Sequence, residues 1–171
     1  MTVPARRLLA PFLTCAVLAL PLAAPAAPPS DNAIVRRSSG DFPIASSVAV
    51  PGAARIVFVS GTLADVAKPE APAGSIERLG DTEMQAASVL AKIEKELAAS
   101  GLTMADVVKM NVFLVGDPAK GGNMDFGGLM KAYSRHFGEA SKGNLPARTT
   151  VQVAALPLPG ALVEIEVVAA R

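Results

Sequence analysis

The sequence predicts a two-layer α+β domain, in which two helices cover one face of a mainly antiparallel sheet. Of the 171 residues, 51% are apolar and 18% are charged, which suits one folded core. About five strand patterns surround two helical patterns, the order expected when helices are segregated on one face of a sheet. One central strand alternates between apolar and polar residues, which is typical of an antiparallel sheet with a single buried face.

The first 26 residues have the three parts of a secretory signal peptide. Arg6 and Arg7 supply a positive start, residues 8–22 are apolar and uncharged, and Ala24 and Ala26 suit cleavage after Ala26. Two prolines interrupt the apolar stretch, which leaves it short of the ~20 residues that span a membrane. The arginine pair is an incomplete twin-arginine signal, so ordinary secretion is favoured. We expect a periplasmic or secreted protein with no membrane attachment after cleavage.

Cleavage would leave a nearly neutral chain without cysteine. The whole sequence has 16 Lys and Arg against 15 Asp and Glu, and its one cysteine, Cys15, lies in the predicted signal peptide. A disulfide, a thiol nucleophile and a cysteine metal site are therefore excluded from the mature protein. Neutral charge and an aromatic content of 4% argue against a nucleic-acid-binding protein. The sequence suggests neither a metal nor a cofactor.

The predicted domain covers residues 43–171 and follows a flexible lead-in at 27–42, which is rich in proline, serine and charge. Its predicted strands are 44–50, 56–61, 107–115, 148–155 and 162–170, and its helices are 82–100 and 125–137. Residues 64–80 hold several prolines and glycines and are expected to form a long surface loop. The last two strands are expected to pair as a hairpin, with Arg148 near Val168 and Glu164 near Gln152.

Two segments define the expected layers. The helix at 82–100 repeats apolar residues at helical spacing: Ala86, Leu90, Ile93 and Leu97. The strand at 107–115 has one apolar face, formed by Val108, Met110, Val112 and Leu114, while Lys109, Asn111 and Phe113 lie on the other. Two helices can cover only one face of the sheet. Apolar residues on the uncovered face therefore predict an interface between subunits.

The C-terminal part of the chain carries a specific motif. It reads NLPARTTVQVAALP from residue 144, followed by LVEIE from residue 162, and it resembles the Rid family, also called YjgF or endoribonuclease L-PSP. Further matches are VSG at 59–61, DVVK at 106–109, VFL at 112–114, AY at 132–133 and FG at 137–138. The resemblance covers residues 43–171. It implies a chorismate-mutase-like α+β fold that assembles as a homotrimer, with ligand clefts between subunits.

The resemblance also implies an activity, the hydrolysis of small 2-imino or enamine carboxylic acids to 2-keto acids and ammonia without a cofactor. Arg148 matches the arginine that binds the substrate carboxylate, and Glu164 matches the glutamate that orients water. Ser60 and Thr150 complete the expected substrate-binding residues. The residues alone allow another interpretation, in which Arg148 forms a surface salt bridge with Glu164 or Glu166 and Ser60 only ends a strand.

The sequence departs from many deaminase members of this family at three positions. Ser46 and Ser47 stand where those members have a tyrosine in the first strand region. Met130 is nearest to the place of an asparagine in the second helix, and Thr150 replaces a cysteine. A glycine-rich insert at 121–128 is also unlike a typical member. These departures leave open a second class of function, a trimeric protein that binds a small carboxylic acid without turnover.

Overall fold

The computed structural model describes residues 32–38, 40–138 and 143–171. The strands are β1 (Val35–Arg37), β2 (Ser47–Ala49), β3 (Ile56–Leu63), β4 (Val107–Val115), β5 (Ala147–Val153) and β6 (Val163–Ala170), and the helices are α1 (Ile76–Leu79), α2 (Thr82–Ala99) and α3 (Phe126–Phe137). The predicted signal peptide at 1–26 lies outside the described residues. Within the described ranges, none of the helices has the length and hydropathy needed to cross a bilayer.

The main sheet has four strands in the order β3-β6-β4-β5. The pairs β3–β6 and β6–β4 are antiparallel, whereas β4 and β5 are parallel. The sheet is therefore mixed, and the α+β class predicted from the sequence is confirmed. β1 and β2 form a separate antiparallel pair beside it.

Helices α2 and α3 cover one face of this sheet, which we call the helix face. The predicted stripe of α2 is confirmed, because Ala86, Leu90, Ile93 and Leu97 are fully buried. Asp81 begins the helix by accepting a hydrogen bond from the amide of Met84 at 2.9 Å. The sheet contributes Met110, Val112 and Leu114 from β4 and Val163, Ile165 and Val167 from β6 to the same core. Burial of these apolar side chains holds the two layers together.

The opposite face, which we call the open face, is covered by no helix among the described residues. Lys109, Asn111 and Phe113 of β4 lie on it, as predicted. Phe58 of β3 is 76% exposed there and pairs in register with Val168. Phe58 and Val168 thus place two neighbouring apolar side chains on the open face.

The predicted hairpin between the last two strands was wrong. β6 lies between β3 and β4, and β5 lies outside β4, so Arg148 pairs with Met110 and not with Val168. Glu164 pairs with Leu63 and Phe113 instead of Gln152. The connection at 154–162 passes the end of β4 instead of turning back tightly. The buried amide of Gln85 holds it, donating to the carbonyl of Gly160 and accepting from the amide of Leu162.

Two smaller predictions need correction. The strand expected at 44–50 is reduced to β2, which pairs with β1. Ala45 instead forms a parallel bridge with Ala147 at the edge of the main sheet. The surface loop expected at 64–80 contains the short helix α1. β1 was not predicted because three residues are too few to show a periodic pattern.

Candidate functional site

Arg148 lies at the edge of the main sheet in an aromatic cage. Its register partner, Met110, points to the buried helix face, so the arginine side chain leaves β5 on the same side. The guanidinium carbon lies 4.2 Å from the ring centre of Tyr133, 5.5 Å from that of Phe42 and 5.6 Å from that of Phe126. A guanidinium this close to aromatic faces is stabilised by cation–π attraction.

Arg148 has no acidic partner within the part of the chain that the structure describes. Burial lowers the pKa of Arg148, and the neighbouring Tyr133 partly opposes the change; the group nevertheless stays charged at neutral pH. Among the described residues, no carboxylate forms an ion pair with it. The alternative salt bridge to Glu164 or Glu166 is wrong, because both glutamates lie on the open face. A half-buried cation without a counter-charge is suited to binding an anion from solution.

Tyr133 positions the arginine cage. Its hydroxyl donates to the carbonyl of Pro43 at 2.8 Å, which ties the segment carrying Phe42 to α3. Its ring is fully buried and stacks on Phe137 at 4.8 Å. Burial raises the pKa of Tyr133 to about 12, although the charge of Arg148 opposes this. Tyr133 is therefore a neutral hydrogen-bond donor at neutral pH.

Met130 and Thr150 complete the surroundings of Arg148. The Sδ atom of Met130 lies 3.4 Å from Nη1 of Arg148. Thr150 is two residues beyond Arg148 on the same face of β5, and its Oγ1 is buried with no hydrogen-bond partner in the part of the chain that the structure describes. A buried hydroxyl without a partner is unfavourable, so Thr150 carries an unmet hydrogen bond next to Arg148 on β5.

The glycine-rich insert at 121–128 supplies one wall of this cage. Gln152 of β5 accepts from the amide of Met124 and donates to the carbonyl of Gly122, both at 2.9 Å. Asp125 then begins α3 by accepting from the amide of Gly128 at 3.0 Å. These contacts place Phe126, the first residue of α3, beside Arg148. We call Arg148, Thr150, Phe42, Phe126, Met130 and Tyr133 the arginine site.

Glu164 and Ser60 form a second group, on the open face. β3 bulges between Val59 and Thr62, which leaves two residues of β3 opposite one of β6. Gly61 lies in this bulge, and a Cβ there would overlap Oε1 of Glu164. The absence of a side chain at 61 therefore allows the carboxylate to lie against the backbone of β3. Ser60, the residue before Gly61 in the same bulge, is exposed. We call Ser60, Gly61 and Glu164 the glutamate site.

The structure does not bring the two groups together within one chain. β5, which carries Arg148, is two strand spacings from β6, which carries Glu164, and three from β3, which carries Ser60; these are roughly 10 Å and 14 Å at about 4.8 Å per spacing. The arginine and glutamate sites also lie on opposite faces. Arg148 with Thr150, and Glu164 with Ser60, are thus two halves that one small ligand cannot touch in a single chain. Among the described residues, no cluster of three His, Cys, Asp or Glu side chains is placed to hold a metal ion.

Four residues of these sites were not predicted from the sequence: Phe42, Phe126, Tyr133 and Gly61. The family's tyrosine was placed at Ser46 and Ser47, whereas Phe42 supplies the ring next to Arg148. Ser47 belongs to β2, and the hydroxyl of Ser46 donates to the carbonyl of Arg37. The short segments AY at 132–133 and VSG at 59–61, which match the Rid family, could have identified Tyr133 and Gly61. No local signal identifies Phe42.

The fold and the arginine site define the class of this protein, a two-layer α+β domain with a half-buried arginine at the edge of its main sheet. The chain belongs to the endoribonuclease L-PSP family, which it matches over residues 42–171.

Two curated relatives cover about two thirds of the chain. The chain is 38% identical over 117 residues to Protein DfrA of Myxococcus xanthus. The aligned region covers 68% of this chain and 77% of that protein. The chain is 33% identical over 117 residues to the 2-iminobutanoate/2-iminopropanoate deaminase of Rattus norvegicus. Here the aligned region covers 68% of this chain and 74% of that protein.

A solved structure has the same fold. The crystal structure of Escherichia coli TdcF with bound serine superposes with a TM-score of 0.51 at 31% sequence identity, covering 68% of this chain and 80% of that chain.

Proposed function

We propose that the protein hydrolyses small 2-imino or enamine carboxylic acids to 2-keto acids and ammonia. The observation that carries this proposal is the half-buried guanidinium of Arg148, which has no carboxylate partner among the described residues. A guanidinium can hold a substrate carboxylate through two parallel hydrogen bonds. The proposal is supported by the deaminase activity named for the rat relative and by the serine bound to TdcF, a ligand with a carboxylate.

The complete site is proposed to lie between subunits of a homotrimer. The separation of the arginine and glutamate sites supports this assembly, since a second copy could bring its glutamate site to the arginine site of the first. The exposed Phe58 beside Val168 provides apolar surface for such a contact.

In the proposed mechanism, Arg148 and the Thr150 hydroxyl hold the substrate, and Glu164 of a neighbouring copy orients a water molecule. The water oxygen bonds to C2 of the imine while the nitrogen takes up a proton, which gives a carbinolamine. Proton transfer from the new hydroxyl to the amino group then releases ammonia and leaves the 2-keto acid. The reaction consumes one water and needs no redox partner. Positioning of water and carboxylate supplies much of the rate gain.

A second candidate is a trimeric protein that binds a small carboxylic acid without turnover. The position of Met130 supports it, because a thioether that touches Arg148 stands near the place where many deaminases of the family have an asparagine. This candidate shares the role of Arg148 and dispenses with that of Glu164.

A comparison of variants distinguishes the two candidates. Arg148→Ala is expected to weaken binding of a carboxylate roughly 10- to 150-fold, because charged hydrogen bonds contribute about 1.5–3 kcal/mol. Arg148→Lys should lose most of the affinity as well, since a point charge lacks the planar fork. Glu164→Gln should leave affinity unchanged and slow hydrolysis, and Gly61→Ala, which displaces Glu164, should do the same.

The measurements are calorimetric titration with pyruvate and release of ammonia from 2-iminopropanoate, which an amino-acid oxidase supplies from alanine. Unchanged hydrolysis in Glu164→Gln, together with lost binding in Arg148→Ala, would favour the binding protein. If Arg148→Ala unfolds or dissociates the protein, Arg148 is structural and both candidates lose their main support.

We also propose that the protein is exported and cleaved after Ala26. Intact mass of the protein from the periplasm or culture medium should correspond to a chain that begins at Ala27. A soluble protein that retains Met1 would contradict export.

A further inference from the structure

We infer that the arginine site selects carboxylic acids with a bulky apolar side chain, branched aliphatic or aromatic, over acids with a small or polar one. The inference rests on the proposed function, since it takes Arg148 as the group that holds the ligand carboxylate. It adds the chemical class of the remainder of the ligand.

The surroundings of the guanidinium are apolar in almost every direction. Phe42, Phe126 and Tyr133 provide three aromatic rings within 5.6 Å of its central carbon, and Met130 provides a thioether. The hydroxyl of Tyr133 is already engaged by the carbonyl of Pro43. Within the arginine site of one chain, ligand atoms that extend beyond the bound carboxylate towards Phe42, Phe126 and Met130 therefore meet carbon and sulfur.

Two of these rings form the outer wall of the site. The rings of Phe42 and Phe126 are nearly parallel, at 13°, with their centres 6.2 Å apart, and Arg148 is about equally far from both. Phe42 is 46% exposed, although the backbone that carries it is tied down through Pro43 and Tyr133. An apolar ligand group that covers this ring removes it from water, which favours binding in proportion to the area buried.

The same wall disfavours polar side chains. A hydroxyl or a second carboxylate on the ligand would lose its hydration against Phe42, Phe126 and Met130, which offer it no hydrogen bond. The arginine site also contains the buried hydroxyl of Thr150. In the proposed mechanism this hydroxyl helps to hold the end of the ligand that reacts and does not contact its side chain. Selection therefore arises from both attraction of apolar groups and exclusion of polar ones.

Titration with four stable 2-keto acids tests the inference without requiring turnover. Each additional buried methylene is expected to tighten binding roughly fourfold. We therefore expect 4-methyl-2-oxopentanoate and phenylpyruvate to bind at least about tenfold more tightly than pyruvate, and 3-hydroxypyruvate to bind no better than pyruvate.

Matched variants assign this preference to the wall. Phe42→Ala and Met130→Ala should each reduce the ratio of the affinity for 4-methyl-2-oxopentanoate to that for pyruvate to within a few-fold. Met84→Ala makes the same change at a methionine of α2 that is 47% exposed and is not part of the arginine site, and it should alter neither affinity. Circular dichroism and thermal unfolding should show that all three variants fold.

The outcomes separate this inference from the proposed function. Equal affinity for pyruvate and the bulky keto acids would overturn the inference, while hydrolysis of 2-iminopropanoate would still support the deaminase. Tight, selective binding of bulky keto acids without hydrolysis of the imines made from alanine or leucine would support the inference and contradict the deaminase. Failure of all four acids to bind would overturn both.

Discussion

The two faces of the main sheet are built from the same strands but are covered differently. On the helix face, Met110 and Leu114 of β4 are fully buried beneath α2 and α3. On the open face, Asn111 donates to Glu166 at 2.7 Å, and Phe58 projects into solvent. Alternation along a strand determines which side chains share a face, but what covers that face depends on the rest of the fold. The arginine and glutamate sites are divided by the same boundary.

The largest expected effect is a loss of folding stability when a side chain of β6 is truncated on the helix face. The same truncation on the open face serves as the comparison. Ile165 is fully buried on the helix face, so Ile165→Ala should lower the free energy of unfolding by about 2–5 kcal/mol. Val168 lies on the open face, and Val168→Ala should cost under about 1 kcal/mol when the protein is dilute enough to be monomeric. Urea unfolding measures both changes. If both variants lost the same free energy of unfolding in the monomer, the two faces would not differ in burial as the structure shows.

A charge at Phe58 tests whether a second copy covers the open face. Phe58→Glu should convert a trimer into single chains in light scattering, because a carboxylate is costly to bury without a partner. Its circular dichroism should stay unchanged, since Phe58 contributes little to the core of its own chain. Val66→Glu, at another exposed apolar residue, is the control and should keep the trimer. A trimer that persists in Phe58→Glu would place the interface elsewhere.

The smallest effect concerns the buried side of the arginine site. Tyr133 is the single tyrosine of the sequence, so absorbance of tyrosinate reports its ionisation directly. It should titrate near pH 12 in the folded protein, compared with about 10 in the unfolded chain, because burial disfavours the charged form.

The sign of the linked stability follows from these two values. The folded state retains the proton of Tyr133 that the unfolded state loses, so the contribution is complete below about pH 10 and is lost as pH rises towards 12. Tyr133→Phe should remove this dependence. Ionisation of the folded protein near pH 10 would show that the ring is less buried than the structure indicates.

Much of the fold could be predicted from short-range patterns. The stripe from Ala86 to Leu97 identifies α2, and Asp81 begins it as the residue type predicts. The alternation in β4 separates Met110 from Asn111 correctly. Arg148 and Glu164 could be singled out because the motif around them resembles a known family. Each of these features depends on neighbouring residues within one element, where helical or strand spacing directly determines which side chains are close.

Only the tertiary structure decided which strands pair and how the sites are divided. β5 pairs with β4 and not with β6, and Gln85, from a helix far away in sequence, holds the connection at 154–162. Phe42 reaches Arg148 because Tyr133 binds the carbonyl of Pro43. These outcomes depend on hydrogen bonds and packing between distant segments, which leave no periodic trace in the sequence. For the same reason, the C-terminal motif contains both Arg148 and Glu164 but does not show that their side chains lie on opposite faces of the sheet.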